Sequence, residues 1–132
     1  MAPEEQEDFL VRERLAALGL ATLGEWDALA FIYRHGNSLT SSIQLAHFLG
    51  DDRSAISSAL NRLESLGYVE RSRGSQGIRL FRFSIPTDPL RSAWLIGLLK
   101  LSETRTGRLL LLNHLRRESP QPLRRSGGLR LA

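Results

Sequence analysis

The chain has 132 residues, 42% of them hydrophobic, which is enough for one domain with its own core, and no run reaches the ~18 apolar residues that a membrane span needs. It contains no Cys, which excludes disulfides, Cys-based zinc sites and thiol redox sensing; its acidic start, MAPEEQEDFL, lacks the apolar stretch of a secretory signal, so a cytoplasmic location is expected. The net charge of +4 is unevenly placed: residues 53–82 carry six Arg against two Glu, and residues 116–132 carry five Arg against one Glu, a distribution that suits a polyanionic partner.

In chain order, residues 4 to 18 are expected to be a helix. Phe9, Leu10, Leu15 and Leu18 are its apolar positions and Gly19 is its stop. Glu4, Glu5, Glu7 and Asp8 read as favourable charge at a helix start rather than as a carboxylate pair. Residues 24 to 35 form a second helix, with Trp26, Leu29, Ala30 and Tyr33 at i, i+3, i+4 and i+7. Gly36-Asn37-Ser38 breaks the pattern. Ser41 and Gln44 then fit a capping box, in which the two side chains satisfy helix-start N–H groups reciprocally. Leu45, Ala46, Phe48 and Leu49 supply the apolar stripe of a short helix, with Ala46 small where the next helix crosses. Gly50 sits where the chain turns, a position that favours a residue without Cβ. Asp52 is the expected N-cap of the following helix, accepting from the N–H of Ser54 or Ala55.

That helix should run from residue 53 to 66. Turning about 100° per residue from Ile56 brings Ala59, Leu60, Leu63 and Leu66 to one apolar face. The opposite side carries Ser54, Ser57, Ser58, Asn61 and Ser65, short hydrogen-bonding side chains that suit close approach to base edges. Serine is a mediocre helix former, and a plain solvated face would more often carry Glu, Lys or Gln. Arg53 and Arg62 flank this side and are expected on phosphates.

Gly67 ends the helix, and Tyr68-Val69-Glu70-Arg71 begins a strand. Gly74-Ser75-Gln76-Gly77 is a turn cluster. Residues 78–84 alternate, with Ile78, Leu80 and Arg82 on one face and Arg79, Phe81 and Phe83 on the other. Both faces hold apolar residues, so alternation leaves the core face open. Arg71, Arg73, Arg79 and Arg82, with Ser75 and Gln76 at the tip, make a basic hairpin over residues 68–84 that suits the DNA backbone or minor groove. Helix, turn, helix and hairpin is the order of a winged helix-turn-helix. The expected class is mainly α with a small β-hairpin: a winged helix-turn-helix with N- and C-terminal dimerisation helices. Its DNA-binding core would span about residues 22–85 of a domain covering 1–118. The Pro-, Gly- and Arg-rich residues 119–132 would be a mobile basic tail.

From Asp88 onward the pattern is helical and apolar on many faces: Leu90, Trp94, Leu95, Ile96, Leu98, Leu99 and Leu101, then Leu109 to Leu112 and Leu115. Ser102-Glu103-Thr104 either splits this region into two helices or bends one. A lone chain of this size has little left to cover it, and a second copy in a symmetric dimer is the economical solution.

The stretches LGEWDALAFIYRHG and LAHFLGDDRSAISSALNRLESLGYVER, with the basic wing after them, resemble the MarR family of bacterial regulators over roughly residues 20 to 85. The resemblance implies an obligate homodimer joined through its terminal helices and acting on double-stranded DNA. It also implies a small-molecule effector, bound in many members between the dimer helices and the DNA lobe. The family's wing often carries Asp-x-Arg, whose acid orients a minor-groove Arg. Here Gly77 and Arg79 stand at the matching positions, so the Arg is present without the acid.

His35, His47 and His114 are scattered without metal-ligand spacing, and no P-loop, GxSxG or HExxH motif occurs. No metal, cofactor or catalysis is therefore expected. The expected function is that of a dimeric, sequence-specific transcriptional regulator, most simply a repressor on a pseudo-palindromic site. Two alternatives stand beside it: a winged helix used for protein contacts in a chromosome or replication complex, and a nonspecific architectural DNA binder.

Overall fold

The computed structural model describes residues 3–35, 39–50, 52–73 and 78–116. Within them the elements run α1 (Pro3–Leu18), α2 (Leu23–Arg34), β1 (Thr40–Ser41), α3 (Ser42–Leu49), α4 (Arg53–Leu66), β2 (Val69–Arg73), β3 (Arg79–Phe83), α5 (Pro89–Leu101) and α6 (Arg105–Leu112).

Local chemistry sets the helix ends. Ser41 and Gln44 form the expected capping box: the Gln44 N–H donates to Ser41 Oγ (3.1 Å), and the Ser41 N–H donates to Gln44 Oε1 (2.9 Å). Thr22 and Glu25 form a second box at the start of α2, with Glu25 Oε1 also accepting from the Ala21 N–H at 3.1 Å. Of the two donors open to Asp52, the structure uses Ala55, at 2.7 Å. Gly50 (φ 73°) and Gly67 (φ 89°) end α3 and α4 in the left-handed region, where a side chain would be strained.

The middle of the molecule is built around α2, where Trp26, Ala28, Leu29, Ala30 and Ile32 are all buried. That is more than one stripe, because α3, α4 and β3 pack around it. From α4 come Ile56, Ala59, Leu60 and Leu63. Phe48, expected in the stripe of α3, is instead 64% exposed. On this short surface helix Leu45 takes the buried position, and the Phe48 ring lies against those of Phe31, 5.2 Å away, and His47, 5.6 Å away. The three strands are antiparallel in the order β1-β3-β2. Phe81 is buried and Phe83 lies edge-on to Tyr33 at 5.1 Å, so the face carrying Arg79, Phe81 and Phe83 is the core face. β1 was not expected; it pairs Thr40 with Phe81 and Ser41 with Leu80.

The C-terminal region is two helices. Ser102 Oγ closes α5 on the Leu99 carbonyl (2.7 Å), and Thr104 Oγ1 caps α6 by accepting from the Gly107 N–H (3.0 Å). Gly107 is obligatory by space, since a Cβ there would lie 2.0 Å from the Leu101 carbonyl oxygen. Much of the apolar surface that called for a second copy is covered by this chain itself. Val11, Leu15 and Leu18 of α1 share one buried cluster with Leu95, Leu98 and Leu99 of α5, Leu111 of α6, and Leu115. Phe9 and Leu10 of α1 remain 44% exposed and Leu109 of α6 remains 55% exposed. After α6 the chain returns to the α1–α2 link: the Arg116 N–H donates to the Ala21 carbonyl (2.9 Å) and the Leu23 N–H to that of Arg116 (2.7 Å).

Candidate nucleic-acid interface

With its apolar side turned to α2, α4 presents Ser54, Ser57, Ser58 and Asn61 on the opposite side, all exposed. They stand at i, i+3, i+4 and i+7, one stripe along the helix. Among the described residues the three serines make no polar contact, and exposed Arg53 has no ion pair. Ser65 differs, because its Oγ donates back to the Arg62 carbonyl at 2.7 Å.

Arg62 does not flank this face in the way the sequence suggested. Its Nη2 donates to the Gly19 carbonyl (2.8 Å), and its Nε lies 3.3 Å from Glu25 Oε2. The guanidinium therefore braces α4 against the α1–α2 link, away from the serine stripe. Glu25 can serve both partners because one carboxylate oxygen caps α2 and the other meets Arg62.

Arg71 is also engaged. Its Nη2 donates to Asn61 Oδ1 (3.0 Å) and to Glu64 Oε1 (2.8 Å), and its guanidinium carbon lies 5.7 Å from the centre of the Phe81 ring. Arg82 pairs with Glu70 across the two strands, with both side chains more than half exposed. Nearer the tip, Arg73 and Arg79 oppose each other in register. Among the described residues Arg79 makes no polar contact of its own. Ser75, Gln76 and Gly77, and the tail from 117 onward, lie outside the described residues.

Two residues that sequence reasoning passed over hold the wing in place. Tyr68 is fully buried and its hydroxyl donates to the Leu18 carbonyl. Arg91 of α5 donates to the Tyr68 hydroxyl at 2.6 Å and to the Ala17 carbonyl at 2.9 Å. The last carbonyls of α1 are thus satisfied by the residue that starts the wing and by a cation, which suits the negative end of a helix. Burial raises the Tyr68 pKa above its ordinary value, and Arg91 offsets part of the rise. The only advance signal was a Tyr directly after a helix-ending Gly. An open groove of about 740 Å³ runs from the end of α4 along β2 to the start of α5, lined by Glu64, Val69, Ile85 and Arg91 among others.

Among the described residues, no group of three or more His, Cys, Asp or Glu side chains gathers in a way that could hold a metal ion. His114 instead pairs with Asp8 at 2.7 Å, tying the chain after α6 to α1. Among the described residues, no helix is long and apolar enough to cross a membrane.

Residues 14–77 match the model of the MarR family. Among solved structures, the reduced form of MarR from E. coli aligns with a TM-score of 0.54 at 23% identity, covering 83% of this chain and 77% of that one. A mutant MarR from E. coli complexed with operator DNA aligns with a TM-score of 0.54 at 22% identity, covering 85% and 76%. A MarR-family transcriptional regulator from Silicibacter pomeroyi aligns with a TM-score of 0.51 at 22% identity, covering 83% and 77%. Among curated proteins, none matches the chain. The structural likenesses establish the fold, and the family model, which spans the helix-turn-helix and the first strand of the wing, places the winged-helix part of this chain in the MarR family.

Proposed function

We propose that the protein is a homodimeric, sequence-specific DNA-binding transcriptional regulator, acting as a repressor on a pseudo-palindromic site. α4 enters the major groove with Ser54, Ser57, Ser58 and Asn61 towards base edges and Arg53 on a phosphate. The wing meets the flanking backbone or minor groove through Arg73 and Arg79, with Ser75 and Gln76 at its tip. The observation that carries this reading is the serine stripe of α4, without polar partners among the described residues, beside a hairpin in which Arg73 and Arg79 pair in register. A solved relative of the same fold is complexed with operator DNA, which supports the same reading. Phe9, Leu10 and Leu109 supply the dimer contact on the terminal helices. A small-molecule effector belongs to the reading through the family, and the groove between the DNA lobe and α5 is the place to seek it. The reading needs no catalytic step, and a regulator of DNA works in the cytoplasm.

A protein-contact role has one observation of its own, the exposed Ile43 and Phe48 on α3. Selection of bound duplexes from a random pool separates the readings. A regulator enriches a two-fold motif, an architectural binder retains DNA without enrichment, and a protein-contact module retains none.

A further inference from the structure

The geometry points to Arg71 as a positioning residue of the reading helix, and through it to Asn61 as a base reader that offers donors. This inference rests on the DNA-binding reading above and says which bases α4 favours at one position.

Arg71 is held on three sides, by Glu64, by Asn61 and by the Phe81 ring. A guanidinium carries donors and no acceptor, so the Asn61 atom that faces it must be the carbonyl oxygen. That fixes which way the amide is turned. The Asn61 NH2 is left with no partner among the described residues, on an exposed side chain at the seventh step of the serine stripe.

The usual Asn–adenine pair needs both ends of the amide, with the oxygen accepting from N6 and the NH2 donating to N7. Here one lone pair of the oxygen already serves Arg71, which turns the oxygen towards the hairpin and leaves the NH2 as the end without a partner. The free donors fit a base edge made of acceptors: guanine, with N7 and O6, fits best, and thymine O4 next. Arg71 itself comes with a counter-charge, the Glu64 carboxylate 2.8 Å away. It therefore adds little to the phosphate-neutralising charge of the wing, in contrast to the expectation from sequence. Its role is to lock the hairpin to α4 and to turn Asn61.

The test compares duplex selection and salt titration for the wild type, Arg71→Ala and Asn61→Asp. If the wild type enriches no motif, the DNA-binding reading fails and takes this inference with it; that result is distinct from those that follow. Given a motif, the wild type should prefer guanine or thymine at one position of each half-site, by about tenfold over the other bases. Asn61→Asp keeps the Arg71 contact, so it should fold, but it presents only acceptors. The preference at that position should move to cytosine or adenine, whose edges carry donors. Arg71→Ala should flatten the preference there while the slope of log affinity against log salt stays unchanged. The inference is overturned if Arg71→Ala leaves the motif intact and reduces the slope by about one, the mark of a lost phosphate contact. It is equally overturned if Asn61→Asp leaves the motif unchanged.

Discussion

Arg62 lies on α4 but serves α1 and α2. An amphipathic count places its Cα beside the serine stripe, and nothing in that count says where a long flexible side chain ends. The buried carboxylate of Glu25 and the open carbonyl of Gly19 decide it. With the Arg62 side chain half exposed, the ion pair is worth little and the contact to the carbonyl somewhat more. Arg62→Ala should lower stability by roughly 1 kcal/mol in a denaturant titration and leave the salt slope of DNA binding as it was; a shallower slope would return Arg62 to the phosphates. Tyr68 is a stricter case, because its hydroxyl and the Leu18 carbonyl are buried together. Tyr68→Phe should cost roughly 1–3 kcal/mol, since the Leu18 carbonyl and Arg91 both lose a partner. Its raised pKa means that the folded state holds the phenol proton more tightly than the unfolded chain does. The corresponding stabilisation is complete below the ordinary tyrosine pKa and fades as pH rises through the higher folded value. In Tyr68→Phe the loss of stability above pH ~10 should therefore be shallower than in the wild type.

Elements defined by local chemistry were legible from sequence, and those defined by distant pairing were not. α4 carries its own boundaries, with an Asp N-cap, an apolar period and a Gly in the left-handed region, and it runs where those signals put it. Thr104 likewise caps α6, and the chain divides there. β1 has two residues and exists because β3 passes beside it, and the return of Arg116 to Ala21 and Leu23 joins segments far apart in sequence. Neither leaves a periodic trace. The core face of the wing needed α2, which packs on β3 through Tyr33, to select Phe81 and Phe83 over Ile78 and Leu80. The wing also makes a prediction with two readouts. Arg79 is exposed and makes no polar contact among the described residues, so Arg79→Ala should change the stability of the free protein by no more than a few tenths of a kcal/mol. Duplex binding should weaken by roughly 0.5–2 kcal/mol at moderate salt. Thermal melts and a salt titration of the same variant read the two effects separately, and a loss in both would mean that Arg79 is structural.

At the scale of the molecule, the terminal helices do two jobs. They bury half of their leucines within the chain, which the apolar count alone had assigned to a partner, and they leave Phe9, Leu10, Leu90 and Leu109 outside. The chain mass is 14.8 kDa, and sedimentation at micromolar concentration should show about twice that. Leu10→Glu with Leu109→Glu should give a folded monomer that binds a half-site weakly; a wild-type chain that sediments as a stable monomer would remove the dimer from the account. In such a dimer the serine stripe and the arginines of the wing would act in duplicate, on two half-sites separated by about one turn of duplex, roughly 34–36 Å. The most direct measurement is competition at physiological salt between the duplex enriched from a random pool and a scrambled duplex of the same length and composition. A sequence-specific regulator should favour the enriched duplex by about a thousandfold or more, and a ratio near one would contradict the account.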